Sequence, residues 1–124
     1  MLHAINWVEI PVIDFERAKL FYSAIYDYEM TERIVGEDRY GFLIFNREQK
    51  GVGGAIVKGK DFQPTTHGIK AYLTAGNDLD IVLNRVENAG GKVILPKTLI
   101  APDIGYYATF QDTEGNNISL FSPN

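Results

Sequence analysis

Few side chains in this sequence can do chemistry, and their types and spacing narrow the choice further. None of the 124 residues is cysteine, which removes thiolate nucleophiles, thiolate metal ligands and disulfides. The two histidines, His3 and His67, stand 64 positions apart, each at the start of a strand-like run where a polar residue is ordinary. Glu9 is less ordinary. It lies inside HAINWVEIPV, residues 3–12, whose β-branched and aromatic residues predict a strand. Alternation along that strand puts Glu9 on one face with Ile5 and Trp7. A carboxylate on an enclosed apolar face has its charged form disfavoured. That suits it to general acid–base work or to pairing with a cation. Glu9 does neither if it pairs with a basic residue across the sheet or stands at a wet rim. Tyr106 and Tyr107 lie on opposite faces of a later strand, so one of them faces any cleft the sheet forms, and the residues leave open which.

The elements that must position these groups are written twice. Asp14 is followed 64 positions later by Asp78, and Phe15, Ala18, Tyr22 and Ile25 by Leu79, Val82, Val86 and Ala89. Gly41, Gly51 and Ile56 correspond likewise to Gly105, Gly115 and Leu120. A repeat of this length points to a duplicated module. In the first copy a strand at 3–12 leads to Asp14, a helix N-cap, and to an amphipathic helix over 15–27. Strands are expected at 29–35, 40–46 and 51–58, with turns at 36–39 and 47–51. In the second copy a strand at 68–75 precedes a helix capped by Asn77 or Asp78 that runs to Ala89 and stops at Gly90-Gly91. Strands follow at 92–95, 104–111 and 116–122. The order is βαβββ twice, in an α+β domain of residues 1–124 with modules 1–62 and 63–124. The expected architecture is an open, curved, eight-stranded cleft with the helices on its outer face. Gly53-Gly54 inside a strand implies a bulge, a close backbone approach, or tight packing between modules.

Bulk properties set limits on function. Hydrophobic residues make up 45%, ordinary for a globular chain. The net charge is −4 and no run of positive residues exceeds two, which argues against nucleic acid. No apolar stretch is long enough to span a membrane, and the start of the sequence lacks a secretory pattern, so a cytoplasmic location is expected.

The duplication, together with DFERAKLFY (14–22), GVGGAIV (51–57), ENAGGKV (87–93) and DTEGNNISL (112–120), resembles the vicinal oxygen chelate superfamily, which includes glyoxalase I, bleomycin-resistance proteins and extradiol dioxygenases. The resemblance covers nearly the whole chain. It implies four positions for divalent-metal ligands: Trp7, Ala55, Ala71 and Ser119. None is a usual ligand, and DTEGNNIS places Ser119 where the family pattern carries a glutamate. A one-residue shift substitutes Asn6 or Val8, Gly54 or Ile56, Lys70 or Tyr72, and Ile118 or Leu120, and does not restore a site. The two histidines lie four residues before the usual ligand positions, roughly 13 Å along a strand. No metal and no cofactor are therefore expected.

In the family's frame, strand parity lines the cleft with Trp7, Val57, Leu73 and Phe121, and places Glu9, Asn117 and Ser119 there as polar groups. A mostly apolar cavity with a few polar groups suits a small molecule. The resemblance implies a metal-independent small-molecule binder of the bleomycin-resistance type that works as a homodimer. Two alternatives are a glyoxalase-like lyase or isomerase using Glu9 as acid or base, and a non-catalytic dimeric module with a vestigial cleft.

Overall fold

The computed structural model describes residues 3–43 and 51–124. The first half contains β1 (Trp7–Pro11), α1 (Phe15–Tyr26), β2 (Glu32–Val35), β3 (Asp38–Leu43) and β4 (Gly53–Lys58). The second contains β5 (Tyr72–Thr74), α2 (Asp80–Leu83), β6 (Lys92–Ala101), β7 (Gly105–Gln111) and β8 (Asn117–Ser122). Each half builds its own four-stranded sheet, ordered β1-β4-β3-β2 and β5-β8-β7-β6. The first strand of each module runs parallel to the last, and every other pair is antiparallel. The expected extension of β3 to residue 46 and most of the 47–51 turn lie outside the described residues.

Helix α1 forms as its spacing predicts. Phe15, Ala18, Tyr22 and Ile25 are buried, and Phe21 joins them. The Asp14 side chain accepts from the Arg17 backbone N–H at 3.1 Å. Asp14→Ala should cost about 1 kcal/mol, the usual value of such a cap, read as a drop in the urea midpoint with an unchanged slope. At the other end Asp27 adopts a left-handed conformation, and the N–H groups of Asp27 and Tyr28 close on Ala24 and Ser23.

The second helix departs from expectation. Only Asp80–Leu83 is α-helical, and the chain reaches Gly91 through turns in which several N–H groups reach back three residues, as Arg85 does to Val82 and Val86 to Leu83. Ile81, Val82, Val86, Asn84 and Asn88 are poor helix formers, and the tighter winding still buries Leu79, Val82 and Val86. Strand β6 is longer than expected and runs through Pro96. It is an edge strand, and its register with β7 shifts between Leu95 and Thr98, where a residue without an N–H does no harm. At Gly54 a Cβ would stand 2.5 Å from the Val8 carbonyl oxygen, so this glycine serves a close approach of β4 to β1.

The two modules share one core. Phe21 of α1 meets Phe110 of β7 with ring centroids 5.7 Å apart, and buried residues from both halves form a single cluster. A polar joint completes the contact. The Glu114 carboxylate accepts from the backbone N–H groups of Ile13 and Asp14 at 2.9 and 2.6 Å and from Arg17 Nε at 2.7 Å. Buried Asp112 holds that turn, accepting from the Tyr22 hydroxyl at 2.7 Å and from the Glu114 and Asn116 N–H groups. Glu114 thus sits at the N-terminus of α1, where a negative charge is favoured. No helix among the described residues is long and apolar enough to cross a membrane.

Candidate functional site

With α1 and the core on one side, each sheet presents its other face outward. On the first sheet, cross-strand register groups Glu9 with Ala55, Ala55 with Phe42, and Val57 with Tyr40. Trp7 packs edge-on to Phe42 at 6.2 Å, and Tyr40 stacks on Phe42 at 6.4 Å. On the same face Ala55 and Val57 are fully buried. Val57, expected to line the cleft, is on this face, opposite Tyr40 in register, and is fully buried in the single chain. Trp7 Nε1 donates to the Glu9 carboxylate at 3.3 Å. Glu9 itself is exposed, so a single chain does not supply the desolvation that an acid–base role requires. Its charge is nonetheless felt: burial first, and then the Glu9 carboxylate, push the Tyr40 phenol above its usual value.

The second sheet corrects the parity expected for its first strand. Tyr72 pairs with Ser119, Leu73 with Leu120 and Thr74 with Phe121. Since paired residues of parallel strands share a face, Tyr72 and Thr74 point outward with Ser119 and Phe121, and Leu73 packs on the core. Leu73 is thus not a cleft residue, and Ala71 shares its inward side. The cause is one extra residue. Val12 and Ala75 hold equivalent places, bonding to the Val57 and Phe121 carbonyls, yet Asp14 follows Val12 by two positions and Asp78 follows Ala75 by three. Gly76, with φ +71°, absorbs the difference. The 64-residue spacing that holds from Asp14 onward becomes 63 in the first strands, and a slip of one flips every side chain. The true counterparts of Trp7 and Glu9 are Lys70 and Tyr72.

The other strands place Tyr107, Thr109 and Gln111 outward, opposite Phe121, Ser119 and Asn117. Tyr106 turns in to the core, so Tyr107 is the tyrosine that faces the cleft, with its ring 6.2 Å from that of Tyr72. On this face a groove of about 450 Å³ opens, lined by Thr66, His67, Lys70, Ile94, Leu95, Tyr107, Thr109, Asn117 and Ser119 among others. The Thr109 and Ser119 hydroxyls bond to each other at 3.0 Å. Asn117 donates weakly to the Thr66 carbonyl at 3.4 Å, and its buried Oδ1 has no partner. Asn117 and Ser119 are thus brought together as expected, whereas Trp7 and Glu9 lie on the other sheet. Sequence reasoning missed Lys70, Tyr72, Thr109, Tyr40 and Phe42. Tyr72 and Lys70 required the slip to be seen, and Gly76-Asn77 before Asp78 was its only written sign.

A groove of similar size on the first module is lined by Val12, Ile13, Glu37, Arg39, Lys58 and Lys60. Its arginine is already engaged, reaching Glu16 and Glu32 and lying over the Phe15 ring.

The outward positions offer a poor home for a divalent ion. Trp7 and Glu9, Ala55, Lys70 and Tyr72, and Ser119 contribute one carboxylate between them, and catalytic divalent sites draw on several imidazoles or carboxylates. Among the described residues, no three His, Cys, Asp or Glu side chains gather where they could hold one.

The sequence model of a family described as the glyoxalase/bleomycin resistance protein/dioxygenase superfamily matches residues 4–120. No curated protein matches the chain. Among solved structures, a glyoxalase/bleomycin resistance protein from Albidiferax ferrireducens T118 aligns over 98% of this chain and 100% of its own, at 18% identity and a TM-score of 0.75. A glyoxylase/bleomycin resistance protein/dioxygenase domain from Frankia sp. EAN1pec covers both chains fully at 16% identity and a TM-score of 0.73. TnmS3, an antibiotic binding protein from Streptomyces sp. CB03234, covers 100% of this chain and 99% of its own at 23% identity and a TM-score of 0.64. At these identities the likeness is one of fold.

Proposed function

The chain belongs to the glyoxalase/bleomycin resistance protein/dioxygenase superfamily, and from that premise we propose that it is a metal-independent binder of small aromatic molecules whose site is completed by a second copy of itself. The observation that carries this reading is the pair of outward sheet faces. One presents Trp7, Tyr40 and Phe42, and the other Tyr72, Tyr107 and Phe121. Among the described residues, none of the first sheet lines the groove on the second. Aromatic surface left in water is costly, and exposed patches of this kind mark binding sites. Two copies related by a twofold axis can set the first face of one against the second face of the other, giving two equivalent clefts with aromatic walls. The fold shared with the antibiotic-binding TnmS3 agrees with such a role.

Trp7 is the sole tryptophan, so its emission reports on the cleft. At micromolar concentration the protein should sediment as a dimer, and the neutral planar aromatic 2-naphthol should quench Trp7 saturably. A monomer that shows no saturable quenching would overturn the reading.

A catalytic alternative rests on Glu9, set beside Trp7 and the Tyr40 phenol. Enclosure by a partner chain would supply the desolvation it lacks alone. Glu9→Gln separates the two readings: binding kept with turnover lost points to catalysis, and binding kept with no turnover in either form points to a binder.

A further inference from the structure

We propose that the second-sheet half of this cleft selects an aromatic acid, a ligand carrying a carboxylate or ionised phenol together with a separate hydrogen-bond donor. The inference deepens the binder reading and rests on it. In a chain of net charge −4, the groove on the second sheet has Lys70 and His67 among its lining residues and, among the described residues, no Asp or Glu. Among the described residues Lys70 makes no ion pair, so its ammonium is free to meet an anion. The slip at Gly76 is what turns this lysine into the groove in the place that Trp7 holds on the first sheet. Charge-assisted hydrogen bonds are the stronger kind, and one cation in a part-apolar groove fixes orientation as well as sign.

The donor requirement comes from Asn117. Its amide oxygen is buried without a partner, and the bond made by its nitrogen is long. An unsatisfied buried acceptor is unfavourable. Asn117 lines the groove, where a ligand hydroxyl or N–H can satisfy this oxygen. The Thr109 and Ser119 hydroxyls share one hydrogen bond in which either can donate, whereas Asn117 Oδ1 is the buried acceptor without a partner among the described residues. The rings of Tyr72 and Tyr107 give the aromatic body a surface.

Three probes test this on the intact protein: 6-hydroxy-2-naphthoate, 2-naphthoate without the hydroxyl, and 2-naphthol without the carboxylate. Calorimetric titration should rank them in that order, with affinity for the two acids falling as salt rises. Lys70→Met should weaken both acids about tenfold or more and 2-naphthol several-fold less than that. Asn117→Ala should remove the advantage of the hydroxyl while sparing 2-naphthoate. Lys70 is exposed, so its variant should fold, and matching circular dichroism and melting would check this. Equal binding of all three probes, or no effect of Lys70→Met, overturns the selectivity and leaves the binder reading standing. Binding of 2-naphthol alone does the same. Absence of binding by all three overturns the selectivity, and the failed quenching of Trp7 by 2-naphthol then counts separately against the binder.

Discussion

Replacing Glu114 by alanine is expected to destabilise the fold by about 3 kcal/mol at neutral pH, because it removes a charged acceptor from four donors at once, Thr113 among them. The Glu114 side chain is fully buried. It joins the DTEG turn of the second module to the start of α1 in the first, taking the N–H groups of Ile13 and Asp14 and the Arg17 guanidinium. In the variant the two backbone donors lose their partner, whereas Arg17, half exposed, can turn to water.

The effect should depend on pH in a definite direction. Burial is the largest single influence on the Glu114 carboxyl and pushes it up. The bonds from Arg17, from the Asp14 and Ile13 N–H groups and from Thr113 together outweigh it, leaving it below its ordinary value of 4.5. A carboxyl depressed in the folded state stabilises above its unfolded value, and that contribution disappears as pH falls through the folded value. The gap in unfolding free energy between the native protein and Glu114→Ala should therefore be full above about pH 5 and narrow as the pH drops below 4.5. Urea titrations at pH 7 and pH 3 measure it. Equal stability of the two proteins at pH 7 would mean that Glu114 does not join the modules.

Phe110→Ala should cost more, about 4 kcal/mol, the range for truncating a large aromatic residue in a packed core. Phe110 is wholly buried on β7 and meets Phe21 of α1, itself wholly buried. Through this contact the first module's helix lies on the second module's sheet, so the cavity opens between the two modules. Neither side can collapse into it easily, since Tyr22 beside Phe21 is tied to Asp112. Phe110→Leu should lose less, because it keeps most of the volume. A loss below about 1 kcal/mol for Phe110→Ala, by denaturant titration, would show that the modules do not depend on this contact.

Much of the architecture was legible because its signals are local. The period of Phe15, Ala18, Tyr22 and Ile25 marks the face of α1 that is buried, and Asp14 caps the helix as its type and place suggest. The second helix was overestimated: apolar spacing alone does not distinguish an α-helix from a string of tighter turns that buries the same residues. On the outward faces, Asn117, Ser119 and Phe121 followed parity within a strand that has no irregularity. Leu73 did not, and the choice between Tyr106 and Tyr107 waited on the register with β8.

The sequence by itself determined the duplicated βαβββ order, the helix cap and the family, because periodicity, capping and turn chemistry act over a few residues and leave their pattern in the order of the chain. Only the tertiary structure decided which side of β5 faces outward, that Lys70 rather than Ala71 stands at the groove, that Tyr72 rather than Leu73 points outward, and that Val57 lies fully buried opposite Tyr40. The physical reason is the two-residue period of a strand. Its facing is set by hydrogen-bond register to a partner about 47 positions away, as between Tyr72 and Ser119, and one extra residue between that strand and Asp78, taken up at Gly76, shifts the repeat by one without disturbing any local pattern.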